Sequence, residues 1–151
     1  MLSRTAENLY WTARYIERAD SIARLLEVAY RIHLIPNTTE GYQNEWWSIL
    51  AAAGIKQNYL NNYNEITKNK IEYFLLFDPN NSSSVKACIE NARNNLKMVR
   101  TAVTLEVWNS VNTWYHELTD YNKEKYDSKN LPQILDWIKK QVNLIKGTIN
   151  N

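Results

Sequence analysis

Apolar residues recur at the three- and four-residue steps of an α-helix from residue 3 to residue 34, the longest uninterrupted segment of the chain. At about 100° per residue, one broad arc gathers Leu9, Thr12, Ala13, Tyr15, Ile16, Ala19, Ile22, Ala23, Leu26, Ala29 and Tyr30. The opposite arc holds Arg14, Glu17, Asp20, Arg24, Glu27 and Arg31. An apolar arc this wide predicts contact with at least two neighbours. Asp20–Arg24 and Glu27–Arg31 stand at i,i+4, a spacing that contributes about 0.3–0.5 kcal/mol per pair. Ser3 or Thr5 is the expected cap, Glu7 suits the first turn, and Pro36-Asn37 ends the segment.

The same reading carries through the rest of the chain. A loop is expected at 36–43, then a second helix from about Asn44 to Gly54 with scope to continue to Asn61. The run Asn61-Asn62-Tyr63-Asn64 marks a break before a third helix at about Glu65–Phe77. Asp78-Pro79-Asn80-Asn81 closes that helix, and Ser82 or Ser83 is the expected cap of a fourth, running to about Thr101. A fifth covers about Leu105–Thr119. A sixth spans Pro132–Lys146, capped by Asn130 or Leu131, with Pro132 at its first position and Gly147 as its terminator. The sum is an all-α fold: an antiparallel bundle of about six helices with a long first helix, in one domain over residues 1–151.

Composition agrees and removes several classes. With 3 Gly and 3 Pro in 151 residues the chain lacks the turn residues that an all-β fold requires. No run of 18 or more uncharged apolar residues exists, so no membrane-spanning helix is expected. Arg4, Glu7 and Arg14 break up the N-terminal segment, which lacks the apolar core of a signal peptide. Cys88, the single cysteine, allows neither an internal disulfide nor a cysteine-based zinc site, and a reducing cytoplasm is the expected compartment. A net charge of +2 argues for neither nucleic acid nor membrane as partner. Charge type is uneven: residues 1–55 hold five Arg and no Lys, whereas residues 56–151 hold eleven Lys and two Arg. Asn, Lys, Ile and Tyr, all with AT-rich codons, are abundant in the chain. Arginine kept together in one segment against that drift hints that guanidinium geometry matters there.

Candidate chemistry concentrates on that first helix. Glu7, Trp11, Arg14, Arg18 and Leu25 form a stripe along the edge of the apolar arc. Arg14 and Arg18 suit a carboxylate or phosphate, with Trp11 packing beside it. The same residues also suit an Arg–Glu network that locks neighbouring helices. Glu17 and Arg18 lie about 100° apart and cannot both address one partner. Elsewhere the expectations are structural. His33 faces the C-terminal helix dipole, Cys88 is a core thiol among Val85, Ile89 and Ala92, and Trp46, Trp47, Trp108, Trp114 and Trp137 pack between helices. Lys123, Lys125, Lys129, Lys139 and Lys140, diluted by Glu124, Asp127 and Asp136, read as a solvated face. No Glu-x-x-His or His-Glu-x-x-His spacing flanks His116-Glu117, and no Gly-rich phosphate loop exists, so no metal and no cofactor is expected.

Leu2-Ser3-Arg4-Thr5-Ala6-Glu7-Asn8-Leu9-Tyr10-Trp11, followed by Arg14-Tyr15-Ile16-Glu17-Arg18-Ala19-Asp20 and Ala23-Arg24-Leu25-Leu26, resembles the bacterial Alpha-E domain family, a helical family with a Glu-Arg signature. Asp78-Pro79, Asn81-Ser82-Ser83-Ser84-Val85, Ala92-Arg93, Asn95, Arg100, Trp108 and Asn112 extend the likeness in order along the chain. Ser82 stands where the family often has proline, and Asn94 and Lys97 stand where Glu and Arg are expected. The resemblance implies a helical fold. It also implies gene neighbours of the ATP-grasp ligase and transglutaminase-like types, and a role in making or modifying peptides.

It further implies that this chain corresponds to the amino-terminal half of a longer helical architecture. The expected partners are then an ATP-grasp ligase or transglutaminase-like protein, and a carboxy-terminal half or a second copy covering exposed apolar surface. The function read from all this is a non-catalytic accessory partner in peptide synthesis or modification. Its signature residues are Glu7, Trp11, Arg14, Glu17, Arg18, Asp20, Arg24, Arg93 and Asn95. The alternatives are a ligase- or amidotransferase-like subunit using Glu7 and Glu17 as acid and base, or an inactive remnant.

Overall fold

A computed structural model describes residues 2–99, 101, 103–121 and 126–149. Among these residues seven α-helices and no strand occur: α1 (Leu2–His33), α2 (Thr39–Ala52), α3 (Lys56–Asn62), α4 (Lys68–Leu76), α5 (Val85–Met98), α6 (Leu105–Thr119) and α7 (Leu131–Ile149). The all-α class read from periodicity therefore holds.

Four helices form the frame. α1 packs most extensively on α5 and next on α7, and α5–α6 and α6–α7 contacts close the ring. Ion pairs from Lys139 to Glu27 and from Lys146 to Asp20 show that α7 runs antiparallel to α1. The short connections at 99–104 and 120–130 make α5, α6 and α7 successive antiparallel neighbours. The predicted wide arc of α1 explains its central position. Ile16, Ala19, Ala23, Leu26 and Ala29 are all 1% exposed or less, and the three alanines let adjacent backbones approach closely. Burying each larger side chain contributes about 1.5–3 kcal/mol.

The remaining helices cover one side of this frame. α4 is short but buried nearly all round, with Ile71 to Leu76 and Phe77 inside. Tyr59 and Tyr63 stack at 4.9 Å and both meet Phe74 edge-on, fastening α3 to α4.

Several boundaries differ from the sequence reading, each for a local reason. α1 begins at Leu2, so neither Ser3 nor Thr5 caps it. α2 starts at Thr39 because Thr38 Oγ1 accepts from Gly41 N at 3.0 Å. A side chain at Gly41 would displace the exposed Asn37 carboxamide. Gly54, at φ +73°, stops α2 and makes α3 a separate helix. The cap of α5 is Ser84, accepting from Ala87 N at 3.0 Å, and not Ser82 or Ser83. α7 includes Leu131 and continues past Gly147, which does not terminate it.

Candidate functional site

The signature residues of α1 divide between two faces. Arg14 and Glu17 are half-exposed and pair with each other at 3.4 Å. Arg18 points the other way, and its Nη2 donates to Ser83 Oγ at 3.2 Å. The 100° separation of Glu17 and Arg18 thus sends them to different partners, as their adjacency requires.

Ser83 owes its position to the loop between α4 and α5. Asp78 is buried, accepting from Asn80 N through Oδ1 and from the Tyr63 hydroxyl through Oδ2. Asn81, also buried, donates to Phe74 O at 2.8 Å and accepts from Ser83 N at 3.0 Å. Two side chains therefore satisfy the backbone of the turn, and the segment 78–84 is rigid without regular structure. Its output is one hydroxyl presented to Arg18. The Glu-Arg segment and the Asp-Pro-Asn-Asn-Ser segment, 60 positions apart in sequence, meet at this contact.

Arg18 also lines a groove of about 330 Å³ between α1 and the C-terminal end of α2, with Ser21, Ile22, Leu25, Ala52 and Ala53. Arg18 and Ser21 are thus the polar residues of an otherwise aliphatic lining. No described carboxylate pairs with Arg18. Ser21 and the alanines of this groove were missed by sequence reasoning, because the pairing of α2 with α1 leaves no periodic signal.

The other signature residues lie elsewhere. Glu7 is exposed near the start of α1. Trp11, at 44% exposure, packs against Tyr10 and Tyr15 and not beside the Arg18 groove. Asp20 was placed on the solvent arc but is 7% exposed, because α7 brings Lys146 to 3.5 Å while Arg24 binds the same oxygen at 3.1 Å. Glu27 pairs with Arg31 at 2.7 Å and with Lys139, and the Lys139 hydrogen bond chiefly holds its carboxyl below the usual range. Lys139 is therefore an inter-helix contact and not part of a solvated face; Lys123, Glu124 and Lys125 lie outside the described residues.

Arg93 lies against α6, donating through Nε to Asn112 Oδ1 at 2.8 Å, with its guanidinium 4.6 Å from the Tyr115 ring and 5.7 Å from Trp108. Asn95 only closes a local bond to Asn91 O. Arg100 lies outside the described residues.

Two polar clusters, one buried and one half-buried, were not anticipated. Glu72, fully buried in α4, accepts from Tyr126 and Ser128 hydroxyls at 2.8 and 2.7 Å, and burial raises its carboxyl pKa. His33 is not a solvent-facing end of α1. Its ring meets those of Tyr42 and Trp46 at a tilt, with centroids 4.6 and 4.7 Å away, its Nδ1 lies 3.7 Å from Glu45 Oε2, and burial lowers its pKa, so these contacts add to the position expected for it in the last turn of α1. Cys88 is the core thiol expected, pushed up to about 11 by burial. Trp46, Trp108 and Trp114 are buried, and Trp137 meets Trp114 edge-on. Among the described residues no three of His, Cys, Asp and Glu gather as a metal-binding group. None of their helices is long and apolar enough to cross a membrane.

A larger cavity of about 450 Å³ lies between α6 and α7, lined by Leu118, Ile134 and Trp137 with Glu117 and Asp120; no signature residue reaches it. The family model of Alpha-E, described as a predicted alpha-helical domain with a conserved ER motif, matches residues 1–151. No curated protein and no solved structure matches the chain significantly.

Proposed function

The chain belongs to the Alpha-E family, and from that premise we propose that it is a non-catalytic recognition partner in a peptide-ligating or peptide-modifying system. Its neighbours there would be of the ATP-grasp ligase or transglutaminase-like type. The recognition element is the Arg18 groove, which takes a carboxylate-bearing peptide segment from the partner or its product.

One observation carries this reading: the signature arginine is held by an uncharged hydroxyl at the mouth of an aliphatic cleft. A guanidinium that locks helices through a buried carboxylate has its charge compensated there. Arg18 keeps its charge available, and Ser83 fixes its direction. An incoming carboxylate gains a charge-assisted hydrogen bond, and the aliphatic floor accepts an apolar side chain next to it.

The acid–base alternative finds less support. Glu7 and Glu17 are ten residues apart on one helix, about 15 Å along the axis. Glu17 is occupied by Arg14 at the surface. Two carboxylates so placed cannot act on one bond.

The test is capture of an ATP-grasp ligase encoded beside this chain, with wild type and Arg18→Ala compared at matched helicity. Capture by wild type and its loss in Arg18→Ala is expected. Equal capture by both proteins, or none by either, would sink the proposal.

A further inference from the structure

Arg93, like Arg18, pairs with no described carboxylate, and its setting is more elaborate than that of Arg18. Residues Trp108, Asn112 and Tyr115 of α6 follow one another at helical steps and hold it together: two aromatic faces flank the guanidinium and Asn112 takes Nε. Ordering an arginine costs side-chain entropy, here offset by stacking and one hydrogen bond to a neutral group.

With Nε engaged, the two terminal amino groups form the remaining edge, and neither has a partner among the described residues. That edge matches the spacing of two oxygens on one carboxylate. Lys86 and Lys97 lie seven residues before and four after Arg93, within about 40° of it around α5, and both are free of ion pairs among the described residues. Glu90, the one acid of α5, is about 60° away and does not pair with Arg93.

We propose that Arg93 anchors a second recognition site, distinct from the Arg18 groove. It binds the carboxylate side chain of an acidic segment on a protein partner, end-on through its terminal amino groups, with Lys86 and Lys97 flanking. The site is preorganised: α6 has already fixed the guanidinium plane, so binding a carboxylate orders little more of the protein.

The experiment is titration of the protein with a labelled hexaglutamate peptide at moderate salt, following anisotropy and the fluorescence of the neighbouring Trp108. Saturable binding is expected. Arg93→Lys keeps the charge but loses the planar fork, and should weaken binding about tenfold. Glu90→Gln should tighten it about twofold by removing a like charge. The Trp108 signal reports on the Arg93 site, because that ring lies 5.7 Å from the Arg93 guanidinium. No saturable binding by wild type overturns the proposal. So does an Arg93→Lys affinity equal to wild type, an equal loss in Lys86→Gln and Arg93→Lys, or displacement of the peptide by inorganic phosphate at a lower concentration than by free glutarate. Should Arg93→Lys lose helicity, Glu90→Gln decides: an affinity unchanged from wild type overturns the assignment.

Discussion

Arg18 makes its one described hydrogen bond at the protein surface, to a serine in a loop already fixed by Asp78 and Asn81. Removing it leaves no buried group unpaired, so Arg18→Ala should cost less than about 0.5 kcal/mol while abolishing recognition at the groove; denaturant midpoints and a binding assay on the same protein separate the two effects. The buried titrating groups behave differently. Burial is the main cause of the lowered His33 pKa, with Lys68 adding to it and Glu45 opposing. The unfolded chain therefore takes up the proton first. The contribution of neutral His33 is complete above about pH 6.5 and is lost as pH falls through its folded-state pKa. Glu72 has the opposite sign. Its pKa is raised by burial against the donors Ser128 and Tyr126, so its contribution is complete below the usual carboxyl range and is lost as pH rises through the folded value. Denaturation midpoints between pH 4 and 8 should show that His33→Gln flattens the acid side. Glu72→Gln, which keeps an oxygen for both hydroxyls, should gain on wild type as pH rises. Unchanged slopes in both variants would mean that neither group is shifted as their burial requires.

At the scale of elements, the turn between α4 and α5 carries the strongest local prediction. Ser82 is exposed, Ser83 serves Arg18, and Ser84 caps α5. Alanine at Ser84 should cost about 1 kcal/mol and at Ser82 almost nothing. Asn81→Ala, which removes two buried hydrogen bonds, should cost about 2 kcal/mol; thermal melts of the three variants rank them. Sequence placed a cap among these serines but one or two positions too early, at Ser82 or Ser83, because three adjacent serines are equivalent until the Asx turns at Asp78 and Asn81 count off the residues. Where the periodic signal was strong, boundaries were legible: the helix at 105–119 was read with both ends. The short helices were harder. α3 has seven residues, and only the positive φ of Gly54 separates it from α2. Gly147 misled in the other direction: a glycine in a helix costs about 1 kcal/mol, which the well-packed face of Ile138, Val142 and Ile145 offsets.

For the molecule as a whole, the first helix was legible as the signature element, but its partners were not. Ser83 and the α2 alanines reach Arg18 only through tertiary packing, and Lys139 reads as a solvated charge until α7 lies antiparallel to α1. The same topology bears on association. α1 is 32 residues long, about 48 Å, and α7 runs back along it with Lys146 level with Asp20. The first turns of α1 therefore project beyond the α7 contacts, and from Ser3 to Trp11 no residue is buried. α5 runs toward the same end, where Met98 and Leu105 are 78% and 70% exposed, as Tyr10 is at 57%. Uncovered aromatic and aliphatic side chains at one pole give a second copy, or a further helical segment, a surface to bury. Light scattering across a concentration series should then show mass rising above that of one chain. The double substitution Trp11→Ser with Met98→Gln should return it to a monomer without loss of helicity, since both side chains are exposed in the single chain. A monomer at every concentration would show that this pole is tolerated in water as it stands, and an unaltered oligomer in the double variant would place the contact on another face.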